Sequence, residues 1–280
     1  MKDIRLHFVQ TGSDDKPLLL FIHGYPEFWY SWRFQLEEFK NDYRCVALDQ
    51  RGYNLSDKPP LIEHYNIREL INDIKNVIEE LGYKSAAIAA HDWGGIVAWQ
   101  FAEFYPEMVE KLICMNIPRP ITLMNHLRNS YKQFKMSWYF FLYQTPRIPE
   151  ILCFAEDMKI FEDCFRSKEM GIRNREYFTD EDLEAWKYTF SNNGASFKYP
   201  INYYRNMFDP TMLNGKEEIL KMPVLIIWGT EDGALGKELA HLSLKNLENG
   251  KVEYIEGASH WVQQDAPLTV NKLMREFLFQ

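Results

Sequence analysis

Six short apolar runs punctuate the chain: Leu18–Ile22, Arg44–Leu48, Ser85–Ala90, Lys111–Met115, Val224–Trp228 and Val252–Ile255. Near-continuous apolarity over so few residues is what strands buried on both faces show. Between several of them the spacing becomes helical. Across Ile67–Leu81 the apolar positions are Ile67, Leu70, Ile71, Ile74, Val77, Ile78 and Leu81, the i, i+3, i+4, i+7 repeat of an amphipathic helix. Ile96–Tyr105 and Leu268–Phe279 look similar. This alternation predicts an α/β fold, a mostly parallel sheet flanked by helices.

The alternation stops between Pro120 and about Gly215. That stretch holds 20 of the chain's 43 aromatic residues and six of its eleven methionines, with no convincing strand pair. It reads as a helical lid (residues 120–215) inserted into a core domain made of residues 1–119 and 216–280. Such aromatic density serves either the insertion's own core or the wall of an apolar pocket.

Composition narrows the function. The net charge is −8 and the 32 Lys and Arg are scattered, with no Arg-rich run, so a nucleic-acid partner is not expected. Cys45, Cys114, Cys153 and Cys164 form no CxxC pair and read as buried free thiols of a reducing compartment. The N-terminus is too charged for a signal peptide, and no apolar segment approaches the roughly 20 residues that span a bilayer. A cytoplasmic protein without a membrane partner is the expectation; oligomeric state is left open.

The chemistry starts at Asp92. In Ala90-His91-Asp92-Trp93-Gly94, small residues stand two places either side of an acid at a strand-to-helix turn, the small-x-nucleophile-x-small elbow with Asp in the nucleophile's place. A helix-capping Asp would look the same locally. A carboxylate is ionised at neutral pH and can attack an electrophilic sp³ carbon without a base. A serine esterase is excluded at the elbow, since no serine occupies it.

Three supports follow at other strand ends. The turn His23-Gly24-Tyr25-Pro26-Glu27 follows one apolar run, and the N–H groups of Tyr25 and Trp93 are the candidate oxyanion donors. His260 follows the turn after Val252–Ile255 and is the candidate base; Asp232 follows Val224–Trp228 and is the candidate acid that orients it. Glu231 reads as solvated, and Asn116, at the other strand end able to supply an acid, has no charge to offer. His23 and His91 read as structural, and His7, His64, His126 and His241 have ordinary surroundings. The chain order Asp92, Asp232, His260 is that of α/β-hydrolases. No metal-ligand spacing or phosphate loop is present, so neither metal nor cofactor is expected.

Over nearly its whole length the chain resembles the soluble, bacterial-type epoxide hydrolases of the α/β-hydrolase fold. The similarity is carried by His23–Glu27, by Asp49-Gln50-Arg51-Gly52-Tyr53 with Ser56-Asp57, by His91–Gly95 and by Gly257-Ala258-Ser259-His260-Trp261. Members of that family use two lid tyrosines that hydrogen-bond the epoxide oxygen. Trp138–Pro146 resembles the stretch with the first, which maps to Tyr139, and Pro200–Met207 the stretch with the second, which maps to Tyr204. Tyr143 and Tyr203 are the competing positions. Trp93, Phe28 and Trp261 are expected to line the pocket with those tyrosines.

The resemblance implies addition of water to an epoxide through an ester on Asp92. Haloalkane and fluoroacetate dehalogenases share the fold and the Asp nucleophile and are the alternative. A departing halide needs N–H donors rather than a proton, and the side chain after His23-Gly24 is Tyr25, not an amide. A ligand-binding relative without activity would have lost part of the Asp92, Asp232, His260 set. Unperturbed values place the working range between the ordinary His and Tyr pKa, about 6.5 and 10.

Overall fold

The computed structural model describes residues 4–191, 197–209 and 219–280. Its strands are β1 (Phe8–Thr11), β2 (Leu18–Ile22), β3 (Arg44–Leu48), β4 (Ala86–His91), β5 (Val109–Met115), β6 (Leu220–Gly229) and β7 (Leu247–Ile255). They form one sheet in the order β1-β3-β2-β4-β5-β6-β7, in which β1 is antiparallel to β3 and the other pairings are parallel. Leu18, Leu20 and Ile22 enter the core on one face of the sheet while Leu19 and Phe21 enter on the other. Val46 and Leu48 are divided in the same way from Cys45 and Ala47. Successive side chains of a strand point to opposite faces, so a sheet covered on both sides needs apolar residues at every position.

Helices α1 (Arg33–Phe39), α2 (Ile67–Glu80) and α3 (Asp92–Phe104) interleave with the first strands. Between β5 and β6 come α4 (Pro120–Asn129), α5 (Tyr131–Met136), α6 (Trp138–Leu142), α7 (Ile148–Met158), α8 (Ile160–Arg166), α9 (Asp180–Ser191) and α10 (Lys198–Arg205). After β6 follow α11 (Glu238–Leu242), α12 (Val262–Asp265) and α13 (Pro267–Leu278). The stripe Ile67, Leu70, Ile71, Ile74 and Ile78 of α2 is buried, and the Asn66 side chain caps the helix by accepting from the Glu69 N–H at 3.2 Å. Helices α2 and α3 cover one face of the sheet, α1 and α13 the other. Helix α3 rides so close to β2 that a Cβ on Gly94 would lie 2.2 Å from the Ile22 carbonyl oxygen.

The described residues between β5 and β6 are helical and turn structure, without a strand. Their rings pack on one another and on the core: Phe165 stacks on Phe178 at 4.9 Å and meets Trp261 at 4.5 Å, and Trp186 donates to the Pro26 carbonyl at 3.0 Å. The expected boundary between residues 215 and 216 lies outside the described residues. Strand β1 and helix α1 were not anticipated. β5, β6 and β7 start earlier than their apolar runs, because polar edge residues extend the ladder. Among the described residues no helix is long and apolar enough to cross a membrane. All four cysteines are free, three buried and Cys164 half-buried.

One buried ion pair ties the loop after β3 to α2. Arg51 Nε and Nη2 each lie 2.6 Å from an oxygen of Asp73, a bidentate pair sealed from solvent. Arg51 Nη1 also reaches the partly exposed Glu69 Oε2 at 3.3 Å, so removing Asp73 leaves the buried guanidinium with that more distant carboxylate in place of its bidentate partner. Asp73→Ala should therefore destabilise the fold by about 3 kcal/mol in urea unfolding; a loss below about 1 kcal/mol would show that Arg51 is satisfied without it.

Candidate active site

Five parallel strands deliver their carboxyl ends to one place: β2 to His23–Tyr25, β4 to Asp92, β5 to Asn116, β6 to Asp232 and β7, through a turn, to His260. Open α/β sheets place ligands in that crevice. Asp92 is the first residue of α3 and holds φ +48°, the left-handed region. The turn of β2 closes directly on it, and a Cβ on Gly24 would meet the Asp92 Cβ at 2.4 Å, so glycine is required there. That approach brings the Tyr25 N–H to 2.9 Å from Asp92 Oδ1.

Asp92 Oδ2 faces His260 Nε2 at 3.5 Å, and His260 Nδ1 is 2.8 Å from Asp232 Oδ2. Asp232 is held from three more directions: Oδ1 accepts from the N–H groups of Ala234 (2.8 Å) and Leu235 (2.9 Å), and Oδ2 from Asn116 Nδ2 (2.7 Å). Asn116 in turn accepts from the Gly229 N–H at 3.0 Å. Asn116 thus contributes a hydrogen bond where the sequence offered no charge.

Burial alone would lower the pKa of His260, but Asp232 first and Asp92 second outweigh it and carry the imidazole up to about 10. Burial would raise the pKa of Asp92, yet His260, His91 and the Tyr25 N–H leave it below its ordinary value. The resting site is therefore a buried imidazolium between two carboxylates.

His91 and His23 point away from the cavity, each with its own partners. His91 Nδ1 lies 2.7 Å from Glu27 Oε2, and Nε2 lies 2.8 Å from the His260 carbonyl oxygen. Glu27 also accepts from the Gly24 N–H (2.9 Å), Gln263 Nε2 (2.9 Å) and Gln264 Nε2 (3.1 Å). Burial pushes the Glu27 carboxyl up, and these donors, His91 foremost, bring it net below its usual range. Glu27 thereby links the β2 turn, the elbow and the His260 turn. Its place in a turn beside an aromatic-Pro pair was the available sign, but nothing in the sequence connects it to Gln263 and Gln264. His23 donates from Nδ1 to the Gly24 carbonyl at 2.8 Å and accepts the Gln50 N–H at 3.2 Å.

Above Asp92 opens a cavity of about 690 Å³ whose wall includes Tyr25, Tyr139, Tyr143, Tyr204, His260 and Trp261. Trp261 keeps its ring edge-on to His260, 4.9 Å between centroids, while its Nε1 donates to the Cys164 carbonyl at 2.6 Å. Burial foremost, and then the charge of Asp92, raises the pKa of both Tyr139 and Tyr204 well above 10. Neither hydroxyl has a hydrogen-bond partner among the described residues. The competing tyrosines are engaged elsewhere: the Tyr203 hydroxyl donates to the Arg51 carbonyl at 2.9 Å, and Tyr143 sits with Tyr25, whose hydroxyl is 3.4 Å from Cys153 Sγ.

Two expected pocket residues lie behind the wall. Phe28 packs on Trp186 at 4.9 Å, itself outside the wall, and the Trp93 indole stands edge-on to the lining residue Tyr204 at 5.0 Å; neither reaches the cavity. The Trp93 N–H makes no hydrogen bond to Asp92 in this resting arrangement, although the first turn of α3 leaves it without a helical acceptor. Among the described residues, no three His, Cys, Asp or Glu side chains converge to hold a metal ion.

Residues 17–267 match the family model of the alpha/beta hydrolase fold. The chain is 64% identical to epoxide hydrolase 1 of Caenorhabditis elegans over 99% of its own length and 69% of that protein's. It is 46% identical to epoxide hydrolase 2 of the same organism, over 99% of this chain and 78% of that one. A crystal structure of a Bacillus megaterium epoxide hydrolase with an inhibitor superposes with a TM-score of 0.90 at 36% identity, covering 99% of this chain and 98% of that one. With its sheet, elbow and covering helices so arranged, this chain belongs to the epoxide hydrolases of the α/β hydrolase fold.

Proposed function

We propose that this enzyme hydrolyses epoxides through a covalent ester on Asp92, with His260 and Asp232 completing a triad and helices α4–α10 serving as the cap. The observation that carries the reading is the facing arrangement across the cavity. On the floor is an ionised carboxylate backed by an imidazole; on the roof are two tyrosine hydroxyls with no partner among the described residues. Asp92 Oδ1 is tied to the Tyr25 N–H, so Oδ2, 3.5 Å from His260 Nε2, is the attacking oxygen. It attacks one epoxide carbon as that carbon's bond to the ring oxygen breaks, and Tyr139 or Tyr204 supplies the proton the alkoxide needs. Phenols whose pKa is raised by burial stay protonated at neutral pH, which keeps them donors.

The ester changes the charge around His260. In the resting enzyme two carboxylates hold the imidazole protonated; esterification neutralises one of them, so the pKa of His260 falls, its proton passes to the tyrosinate left by ring opening, and a neutral base becomes available. His260 then takes a proton from water, hydroxide adds to the Asp92 carbonyl carbon, and the oxyanion forms on Oδ1 beside the Tyr25 N–H, with Trp93 as the second donor. Collapse releases the diol and restores the carboxylate. The limits of 6.5 and 10 expected from unperturbed groups no longer apply, since the structure moves both the histidine and the tyrosines. A dehalogenase reading gains nothing here, because Tyr139 and Tyr204 offer hydroxyls suited to protonating an alkoxide.

Three measurements bear on this cycle. His260→Gln should still open an epoxide and then stall, so intact-protein mass should rise by one substrate; an unmodified protein would count against the ester. Single Tyr139→Phe or Tyr204→Phe changes should slow single-turnover ring opening by roughly 10²-fold, and the double change should nearly abolish it; undiminished turnover in the double variant would remove the tyrosines from the chemistry. Asp92→Asn imitates the neutral ester, so the imidazole pKa of His260 followed by NMR should drop from about 10. An unchanged value would mean that Asp92 does not control the base.

A further inference from the structure

In a chain where 40 of 280 residues are acidic, about one in seven, residues 120–149 contain no Asp or Glu and four cations, Arg128, Lys132, Lys135 and Arg147. Counting cations over the whole chain hides this; the local absence of acids reveals it. The same stretch exposes large apolar side chains. Tyr131 is 73% exposed and Trp138 63%, and on neighbouring α7 Ile151 is 66% and Leu152 53% exposed. Tyr131, Phe134, Lys135 and Trp138 follow i, i+3, i+4, i+7 spacing along α5 and α6, which places them on one face. Lys135 Nζ lies 4.8 Å from the Tyr131 ring centroid, and Phe134 meets Phe141 at 5.3 Å.

Charge and apolarity coincide at the cavity mouth. Lys135, Trp138, Leu142 and Leu152 line the cavity above Asp92 while three of them are also exposed outside. Arg128, Lys135 and Arg147 form no ion pair with a described carboxylate. The acids of α7 are neutralised nearby, Glu150 by Arg205 at 2.8 Å and Asp157 by Lys187 at 2.7 Å. Glu156, the remaining acid of α7, lies 3.6 Å from Lys159, and the lining acids Asp163 and Glu169 belong to later segments than α5 and α6.

We propose that the α5–α6 face, with the exposed end of α7, docks on an anionic lipid surface and turns the cavity mouth toward it, so that an apolar epoxide dissolved in the lipid enters without crossing water. Aromatic and aliphatic side chains flanked by Lys and Arg are the chemistry of a helix lying in a bilayer interface. Each cation near an anionic surface strengthens binding by about fivefold at low salt. Such a face lies on the membrane and spans nothing, consistent with helices too short to cross.

The test is sedimentation of the full chain with phosphatidylcholine vesicles with and without phosphatidylserine. Binding should need phosphatidylserine and weaken as salt is raised. The triple variant Tyr131→Ser, Phe134→Ser, Ile151→Ser replaces none of the cavity-lining residues. It should bind about tenfold more weakly or worse, keep wild-type turnover of a water-soluble epoxide, and lose turnover of an epoxide held in vesicles. Vesicle binding needs no catalysis, so its failure is separable from failure of the proposed reaction. Absence of binding to phosphatidylserine vesicles, equal binding to neutral ones, or wild-type binding by the triple variant would overturn the proposal. So would sedimentation velocity without lipid showing a dimer that the triple variant breaks, because the occupant would then be a second copy of the chain.

Discussion

One imidazole held between two carboxylates, away from water, is the constraint around which this molecule is arranged. Like charges so close repel, and burial opposes ionisation of each, so both must be satisfied by fixed donors. Asp232 takes three besides His260, and Asp92 takes the Tyr25 N–H at the start of a thirteen-residue helix whose dipole favours an anion. Those donors come from the turns after β2 and β6 and from the end of β5. The sheet is therefore more than a scaffold: its register decides which backbone N–H groups reach which oxygen. The Glu27–His91 pair secures the turn after β2, the elbow and the His260 turn to one another.

The helices between β5 and β6, proposed above as a cap, answer a different requirement. A nucleophilic carboxylate loses reactivity when water solvates it, and a phenol donates a proton best from a dry position close to the leaving oxygen. An insertion built from rings that meet edge to face provides both, because it excludes water through packing and not through a hydrogen-bonded wall. Tyr204 illustrates the economy: its ring touches Trp93, Tyr139, Tyr143 and Tyr25 while its hydroxyl stays uncommitted.

The sheet core was legible because burial on both faces leaves β2, β3 and β4 apolar except at an end, Arg44 opening β3 and His91 closing β4. β1 was not, since Phe8–Thr11 is four half-exposed residues at an edge, and neither was α1, whose seven residues are too few for periodicity to register. Asp92, Asp232 and His260 each follow an apolar run through a turn, and the structure brings them together. Phe28 and Trp93 also adjoin such turns but face backward, since proximity in sequence does not fix where a side chain points. The choice of Tyr139 over Tyr143 depends on what Cys153 and Tyr25 occupy, a tertiary matter. The role of Asn116 was hidden for a different reason: charge was sought where geometry was the contribution.

An elbow of this shape can carry either a hydroxyl or a carboxylate, so the backbone alone does not select the chemistry. What does is the charge state of the histidine beside it. A neutral hydroxyl needs a free imidazole before it can attack, and that imidazole must have an ordinary or low pKa. A carboxylate reverses the requirement: it attacks unaided, and its own charge keeps the imidazole protonated until attack has occurred. In the cycle proposed above, the base is thus withheld while the substrate is being captured and released when the captured ester needs water. Order in the reaction then follows from electrostatics, without any movement of the chain, because the nucleophile's charge is itself the signal that sets the base.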